Sequence, residues 1–271
     1  MLQKENKQMY FENKIISTTN WLGLWTLFSK ETLRFLKVSY QTVLAPIVTN
    51  VLFFTIFLIV VERDKLIVGG VQYTEFLVPG LIMMAILQNA FMNTSSSIMI
   101  SKIQGNIIDI LLPPLSSLEL TIAIALGGVA RGMIVGLASV LVFSFFVDMK
   151  IVNIFNVLFF AFSGSLTLSL LGIIGGIWSE KFDHLAGLTN FLITPLTFLS
   201  GSFYSIEKLP EILRTIAMYN PFFYFIDGFR KGFIGYSDIN MLTGIIVCLI
   251  LNIILSLFVY KMFETGYKLR T

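Results

Sequence analysis

The chain has 271 residues, 56% of them apolar and only 13% charged, with a net charge of +3 and a mean hydropathy of +0.83. A water-soluble domain carries about a quarter charged residues, so a solvated globular fold is excluded and lipid is the expected solvent. The spacing of the charges then sets how often the chain crosses.

Residues 1–20 are polar, with no apolar run and no small-residue cleavage site. They read as a cytoplasmic tail rather than a secretory signal. In residues 21–37 (WLGLWTLFSKETLRFLK), Trp21, Leu24, Trp25, Phe28, Leu33, Phe35 and Leu36 can share one broad helical face. Lys30, Glu31, Arg34 and Lys37 occupy much of the rest. Tryptophans opposite basic residues suit an amphipathic helix at the headgroup boundary; a plain cytosolic extension of the first span is the other reading.

Six charge-poor runs follow: 24 residues between Lys37 and Glu62, 26 between Glu75 and Lys102, and 28 between Glu119 and Asp148, broken only by Arg131. The others hold 29 residues between Lys150 and Glu180, 23 between Asp183 and Glu207, and 22 between Asp238 and Lys261. About 20 helical residues cross a hydrocarbon core. The expected fold is therefore all-α and integral to the membrane, with six spans near 42–61, 76–98, 120–147, 154–178, 185–203 and 241–260. Barrel strands, which alternate over about ten positions, are excluded. Six spans put both termini on one side. The cytoplasmic assignment gives eleven Lys/Arg inside against seven outside, as the positive-inside rule requires.

In the inner turn 101–119, Pro113–Pro114 stops a helical turn over residues 107–112, and Ser116 or Ser117 caps the next helix. Its leucines either dock a soluble partner or dip into lipid. Arg131, flanked by Gly127, Gly128, Ala130 and Gly132, either faces a bundle interior or snorkels to the inner headgroups. His184 beside Asp183 reads as an interfacial polar pair, and Cys248 as a packing residue. Residues 201–238 hold ten aromatics in 38 positions but are too polar to span. Pro210 and Asn220–Pro221 mark two short helices dipping into the outer leaflet, with Glu211/Arg214 and Asp227/Arg230 at i,i+3 to neutralise each other. The last residues, 264–271, form a cytoplasmic tail.

No GxxxxGK[ST] loop, HExxH, paired Cys/His spacing or GxSxG elbow occurs. No carboxylate lies inside a span, and no internal repeat is visible. Uphill transport would draw its energy from another subunit.

The stretches FLVPGLIMM (76–84), GGVARG (127–132), FDHLAGLTNFLITPLTFLSGSFYSIEKLP (182–210) and YNPFFYFIDGFRKGFIG (219–235) resemble the type-2 permease family of ABC transporters, in its YadH-type branch. The resemblance begins near Trp25 and implies a domain over 21–263. It implies an inner-membrane permease that binds no cofactor or metal itself, pairs with a second permease copy, and works with two cytosolic ATPase subunits that carry ATP and magnesium. Membrane lipid is the other expected partner; nucleic acid is not one. The family's docking turn falls on Gln104, Ile107, Asp109, Ile110, Leu111, Leu112 and Pro113, and its outer re-entrant segment on 205–238. Arg131, Asn220, Pro221, Asp227 and Arg230 are the candidates for the path or the dimer seam. The expected activity is ATP-driven export of a lipid-linked, glycan or hydrophobic substrate. The rivals are a nucleotide-independent facilitator or scramblase, and an intramembrane enzyme using His184 or Asp183.

Overall fold

A computed structural model describes residues 19–61, 67–68, 70–206 and 209–269. Most of the polar tail, the charges Glu62, Arg63, Asp64, Lys65, Glu207 and Lys208, and Arg270 lie outside them. The chain order is α1 (Trp21–Leu36), α2 (Ala45–Val61), β1 (Ile67–Val68), β2 (Val71–Gln72), α3 (Tyr73–Ile103), α4 (Ile107–Leu111) and α5 (Ser117–Phe143). Then come α6 (Ile154–Trp178), α7 (Phe182–Leu188), α8 (Thr194–Phe198), α9 (Glu211–Tyr219), α10 (Pro221–Ile234) and α11 (Met241–Thr265). Wide π-helical turns, Tyr40–Leu44 and Thr189–Ile193, lead into α2 and join α7 to α8.

The long helices begin where a side chain satisfies an orphan N–H. Asn153 accepts from Asn156 at the start of α6, and Asn240 from Leu242 at the start of α11. Ser116 and Glu119 form a reciprocal capping box on α5. Gly235 and Gly266, both with positive φ, close α10 and α11.

Five helical stretches are long and apolar enough to cross a membrane: Tyr40–Val60, Tyr73–Ile103, Ser117–Phe143, Ile154–Trp178 and Met241–Thr265. The run expected to span 185–203 is helical only to Phe198, in the three pieces α7, wide turn and α8. The helix of the third run ends at Phe143, short of 147, in turns over residues 144–147. A charge-free run includes its polar turn, so charge spacing overestimates both helices. The all-α expectation also gains one exception, a two-residue antiparallel ladder pairing Ile67 with Gln72 and Val68 with Val71.

The spine is α3, buried along most of its 31 residues between α5 and α6. Small residues permit the approach: a Cβ on Gly172 of α6 would stand 2.5 Å from the Phe91 carbonyl, and one on Gly176 would stand 2.9 Å from that of Ser95. Where lipid supplies no hydrophobic drive between helices, polar crosslinks add to packing. The Thr94 hydroxyl donates to Ser169 O at 2.7 Å, and Asn252 of α11 donates to Ser163 Oγ at 2.7 Å while accepting from Thr167 at 2.9 Å. By contrast α2 and α11 present mostly exposed apolar faces.

The α3–α6 contact gives a direct test. Gly172→Ala forces a methyl against backbone and should destabilise the protein by about 1–3 kcal/mol, read as a lower apparent melting temperature in detergent. Gly187→Ala, where nothing lies within 4 Å, should leave it unchanged or slightly raised.

Candidate functional site

The bundle has two structured ends, one built around α4 and the other around α9 and α10. At the α4 end, α3 stops at Gly105, whose φ is +74, and α4 forms before Pro113. Ile107 and Ile110 point into a core with Leu27, Ile98, Leu120 and Met262. Gln104, Asn106, Ile108, Asp109, Leu112 and Pro113 face outward, and Leu111 is half-buried. The expected docking set is therefore split. Ile110, 4% exposed, and Ile107 are anchors and cannot touch a partner, whereas Ile108 (57%) and Leu112 (74%) are the apolar residues on offer. Sequence reading missed Ile108, although the helical period puts it on the face opposite Ile110 and Ile107.

One carboxylate holds this turn to the chain's beginning. Glu119 Oε2 accepts from the Ser116 N–H at 2.7 Å, and Oε1 accepts from the Asn20 N–H at 2.5 Å. The helix α1 then runs beside α5 in the same direction, with Glu31 lying over Gly127, where an added Cβ would meet Glu31 Cβ at 2.6 Å. This corrects the expected amphipathic face. Leu27, Glu31 and Phe35 pack inward, while Trp21, Trp25 and Leu33 are exposed. Arg34 pairs with Glu31 (3.4 Å) and donates to Asn93 O at 2.7 Å and Asn93 Oδ1 at 3.0 Å. Close by, Arg131 is buried and donates to Asn89 Oδ1 at 2.9 Å. Its guanidinium is bonded inside the bundle, which decides against snorkelling. Near the last turns, Lys102 Nζ donates to the carbonyls of Ile177 (2.6 Å) and Ser179 (2.7 Å). Lys268 bonds Glu180 at 2.9 Å, and holds that exposed carboxyl below its usual range by hydrogen bond and charge.

At the other end the chain is non-helical over residues 199–205, and side chains of α3, of α10 and of the loop after it bond to its backbone and to that of Ile206. Asn220 Nδ2 donates to Leu196 O at 2.7 Å and to Ser200 Oγ at 2.8 Å. Arg230 donates to Gly201 O at 2.5 Å and Phe76 O at 3.2 Å, with its guanidinium 3.8 Å from the Phe76 ring centroid. Tyr73 donates to Phe203 O at 2.8 Å, and Asp238 accepts from the Ser205 hydroxyl at 2.6 Å and the Ile206 N–H at 3.3 Å. Asp227 accepts from the Ser237 hydroxyl and the Asp238 N–H instead of forming the expected ion pair with Arg230. Neither Asp227/Arg230 nor Glu211/Arg214 forms a salt bridge among the described residues. Asn220, Asp227 and Arg230 are fully enclosed in one copy of the chain, as Arg131 is, and Pro221 opens α10. These four side chains line no open surface.

Asp183 and His184 are exposed at the start of α7, the His184 ring 6.1 Å from that of Trp178. Among the described residues no three His, Cys, Asp or Glu side chains converge to hold a metal. A groove of about 330 Å³ runs between α3 and α7, lined by Met92, Ser95, Ser96, Leu185, Thr189 and Asn190 among others; these residues were not singled out from sequence.

The family model described as ABC-2 type transporter matches residues 23–234. The inner membrane transport permease YadH of Escherichia coli K12 is 33% identical over 251 residues, covering 93% of this chain and 98% of the relative. YadH of Shigella flexneri matches to the same extent. Nodulation protein J of Rhizobium leguminosarum bv. trifolii is 26% identical over 76 residues, 28% of this chain and 29% of that one.

The split of the α4 turn predicts opposite fates for neighbouring substitutions. Ile110→Asp buries an unpaired carboxylate, a cost of several kcal/mol, and should sharply lower the yield of folded protein. Ile108→Asp and Leu112→Asp should keep the yield and the gel-filtration profile of the parent. Equal losses at all three positions would refute the assigned facing.

Proposed function

Because this chain belongs to the ABC-2 type transporter family, as a membrane subunit of an ABC transporter, we propose that it is the permease of an ATP-driven exporter. Two copies form the path, and two cytosolic ATPase subunits supply the energy. The α4 end lies in the cytoplasm with both termini. The α7–α8 helix is a sixth crossing, and α9 and α10 form a segment that re-enters the outer leaflet. The substrate class is a lipid-linked, glycan or hydrophobic molecule.

The observation that carries this reading is the construction of the α4 turn. Its outer residues Ile108 and Leu112 are exposed, while Ile107, Ile110 and the twofold bonding of Glu119 fix it rigidly to α1, α3 and α5. An exposed apolar knob on a rigid base suits transmission of force from a soluble partner, because the load passes to packed helices rather than into a loop. The exposed stripe Leu44, Val48, Leu52, Ile56 and Ile59 on α2, spaced mostly at i,i+4, supports a seam between copies. A nucleotide-independent lipid facilitator is the second reading, favoured by the part-polar groove between α3 and α7.

Co-expression with an ABC ATPase subunit from the same genome provides the test. The parent permease should co-purify with the ATPase, and the reconstituted complex should hydrolyse ATP. Ile108→Asp with Leu112→Asp should reduce co-purification at least tenfold, equivalent to about 1.4 kcal/mol or more, without loss of folded permease. Retained binding by that variant would refute docking at α4. Lipid flux by the permease alone, unaltered by nucleotide, would favour the facilitator.

A further inference from the structure

Two helices share an irregularity that the family assignment does not explain. The wide turn Tyr40–Leu44 ends two residues before Pro46, and the wide turn Thr189–Ile193 ends two residues before Pro195. The cause is local. Proline offers no N–H, and its ring crowds the carbonyl four residues earlier, here Thr42 and Phe191. Widening the preceding turn relieves that crowding and leaves a site where bending is cheap. Pro79 of α3 provides the contrast. It sits in regular helix whose residues 76–80 are buried against the bundle.

The two sides of each wide turn are held differently. Beyond Pro46, Asn50 donates to Leu81 O at 3.2 Å, and Phe54 is buried. Beyond Pro195, Thr197 accepts from Gln88 at 3.0 Å, and Leu196 O accepts from Asn220. Each turn carries one largely exposed ring, Tyr40 at 83% and Phe191 at 87%, beside one buried side chain, Thr42 and Ile193. Thr189 donates to Leu185 O one turn earlier, and Thr42 to Val38 O one turn earlier and to Phe35 O at the end of α1. One of these segments, α7 with its wide turn, forms one wall of the α3–α7 groove. The other continues directly from α1, which is bonded to the α4 turn through Asn20 and Glu119.

We propose that the two proline-led wide turns are paired hinges. The hinge before Pro195 lets α7 swing against a fixed α3 and so gate the α3–α7 groove, and the hinge before Pro46 lets the chain ahead of α2 bend together with α1, while the segments beyond Pro46 and Pro195 stay in place. That ATP drives the swing rests on the function proposed above; the hinges themselves do not.

Two measurements on the full chain separate these points. In nanodiscs of phosphatidylethanolamine and phosphatidylglycerol, amides 41–45 and 190–194 should exchange hydrogen at least about tenfold faster than amides 50–54 and 196–198. Pro46→Ala and Pro195→Ala, each restoring a helical N–H, should slow the turn next to the substitution and not the other. In the complex with its ATPase, spin labels at Tyr40→Cys and Asn190→Cys should change separation on trapping with ATP and vanadate; the native Cys248 is buried. Labels at Ile56→Cys and Leu199→Cys should not move, and the double alanine variant should lose at least half of the first change. Turns that exchange no faster than their flanks, or that ignore the alanines, would overturn the hinges, as would equal movement of both label pairs. Fast turns slowed by alanine, with distances indifferent to ATP, would support the hinges and count against ATP coupling.

Discussion

Buried backbone that leaves a helix has no water to bond, so the protein itself must satisfy its N–H and C=O groups. The architecture answers that constraint at the stretch between α8 and α9. Asn220, Arg230, Tyr73 and Asp238 come from three separate parts of the chain, and each spends a polar group on this one irregular segment. Their convergence explains why an otherwise aromatic helix, α10, carries a fully buried arginine. Arg230 also reaches the first turns of α3, so the same side chain that satisfies the break fixes the spine of the bundle.

The two ends of that spine are fastened by different physics. At the α10 end the fastening is enclosed: buried guanidinium and amide donors on carbonyls, stacked on Phe76, with close helix approach. Gly80 faces the Ser202 carbonyl where no side chain fits. At the α4 end a single carboxylate, Glu119, caps α5 and receives the first N–H of the α1 junction, at the boundary of the protein. Charge-assisted bonds at such a boundary reorganise more cheaply than an enclosed network. The α4 turn is thus held by packing of Ile107 and Ile110 with one charged cap, and the α10 end by an enclosed polar network.

Much of this was legible in the sequence where the signal is local. The α6 boundaries at Ile154 and Trp178, the Ser116 cap and the Asn220–Pro221 start follow from charge spacing and cap chemistry, which depend on neighbours within a few residues. The facing of α4 was not legible. Ile107, Ile108, Ile110, Leu111 and Leu112 are all apolar, and in one and a half turns no polar residue other than Asp109 distinguishes inside from outside. The inward turn of Glu31 was hidden for a similar reason. Its place is set by Gly127, almost a hundred residues away, which removes the side chain that would have blocked a carboxylate from the interior. Arg131 stood out as the one charge within a run, but its partner Asn89 lies in a different helix, and one amide in α3 resembles any other before the fold is known.

That last case bears on how a path across the membrane can arise. A charge in a span costs at least a few kcal/mol unless it faces protein or water, so Arg131 and Arg230 were natural candidates for a lining. Both instead donate to acceptors of their own chain: Arg131 to an amide, Arg230 to two carbonyls. Asp227 and Asn220 are committed in the same way. Each of these side chains is buried and makes at least one bond within its own chain, so exposing it to cargo would break a contact of the fold. The surfaces that the chain leaves exposed are the outer faces of α2, of α7–α8 and of α11, and the Ser95–Ser96 groove between α7 and the spine. The wide turns lead into two of these, α2 and α8, so two of the exposed faces adjoin the backbone where bending is cheapest.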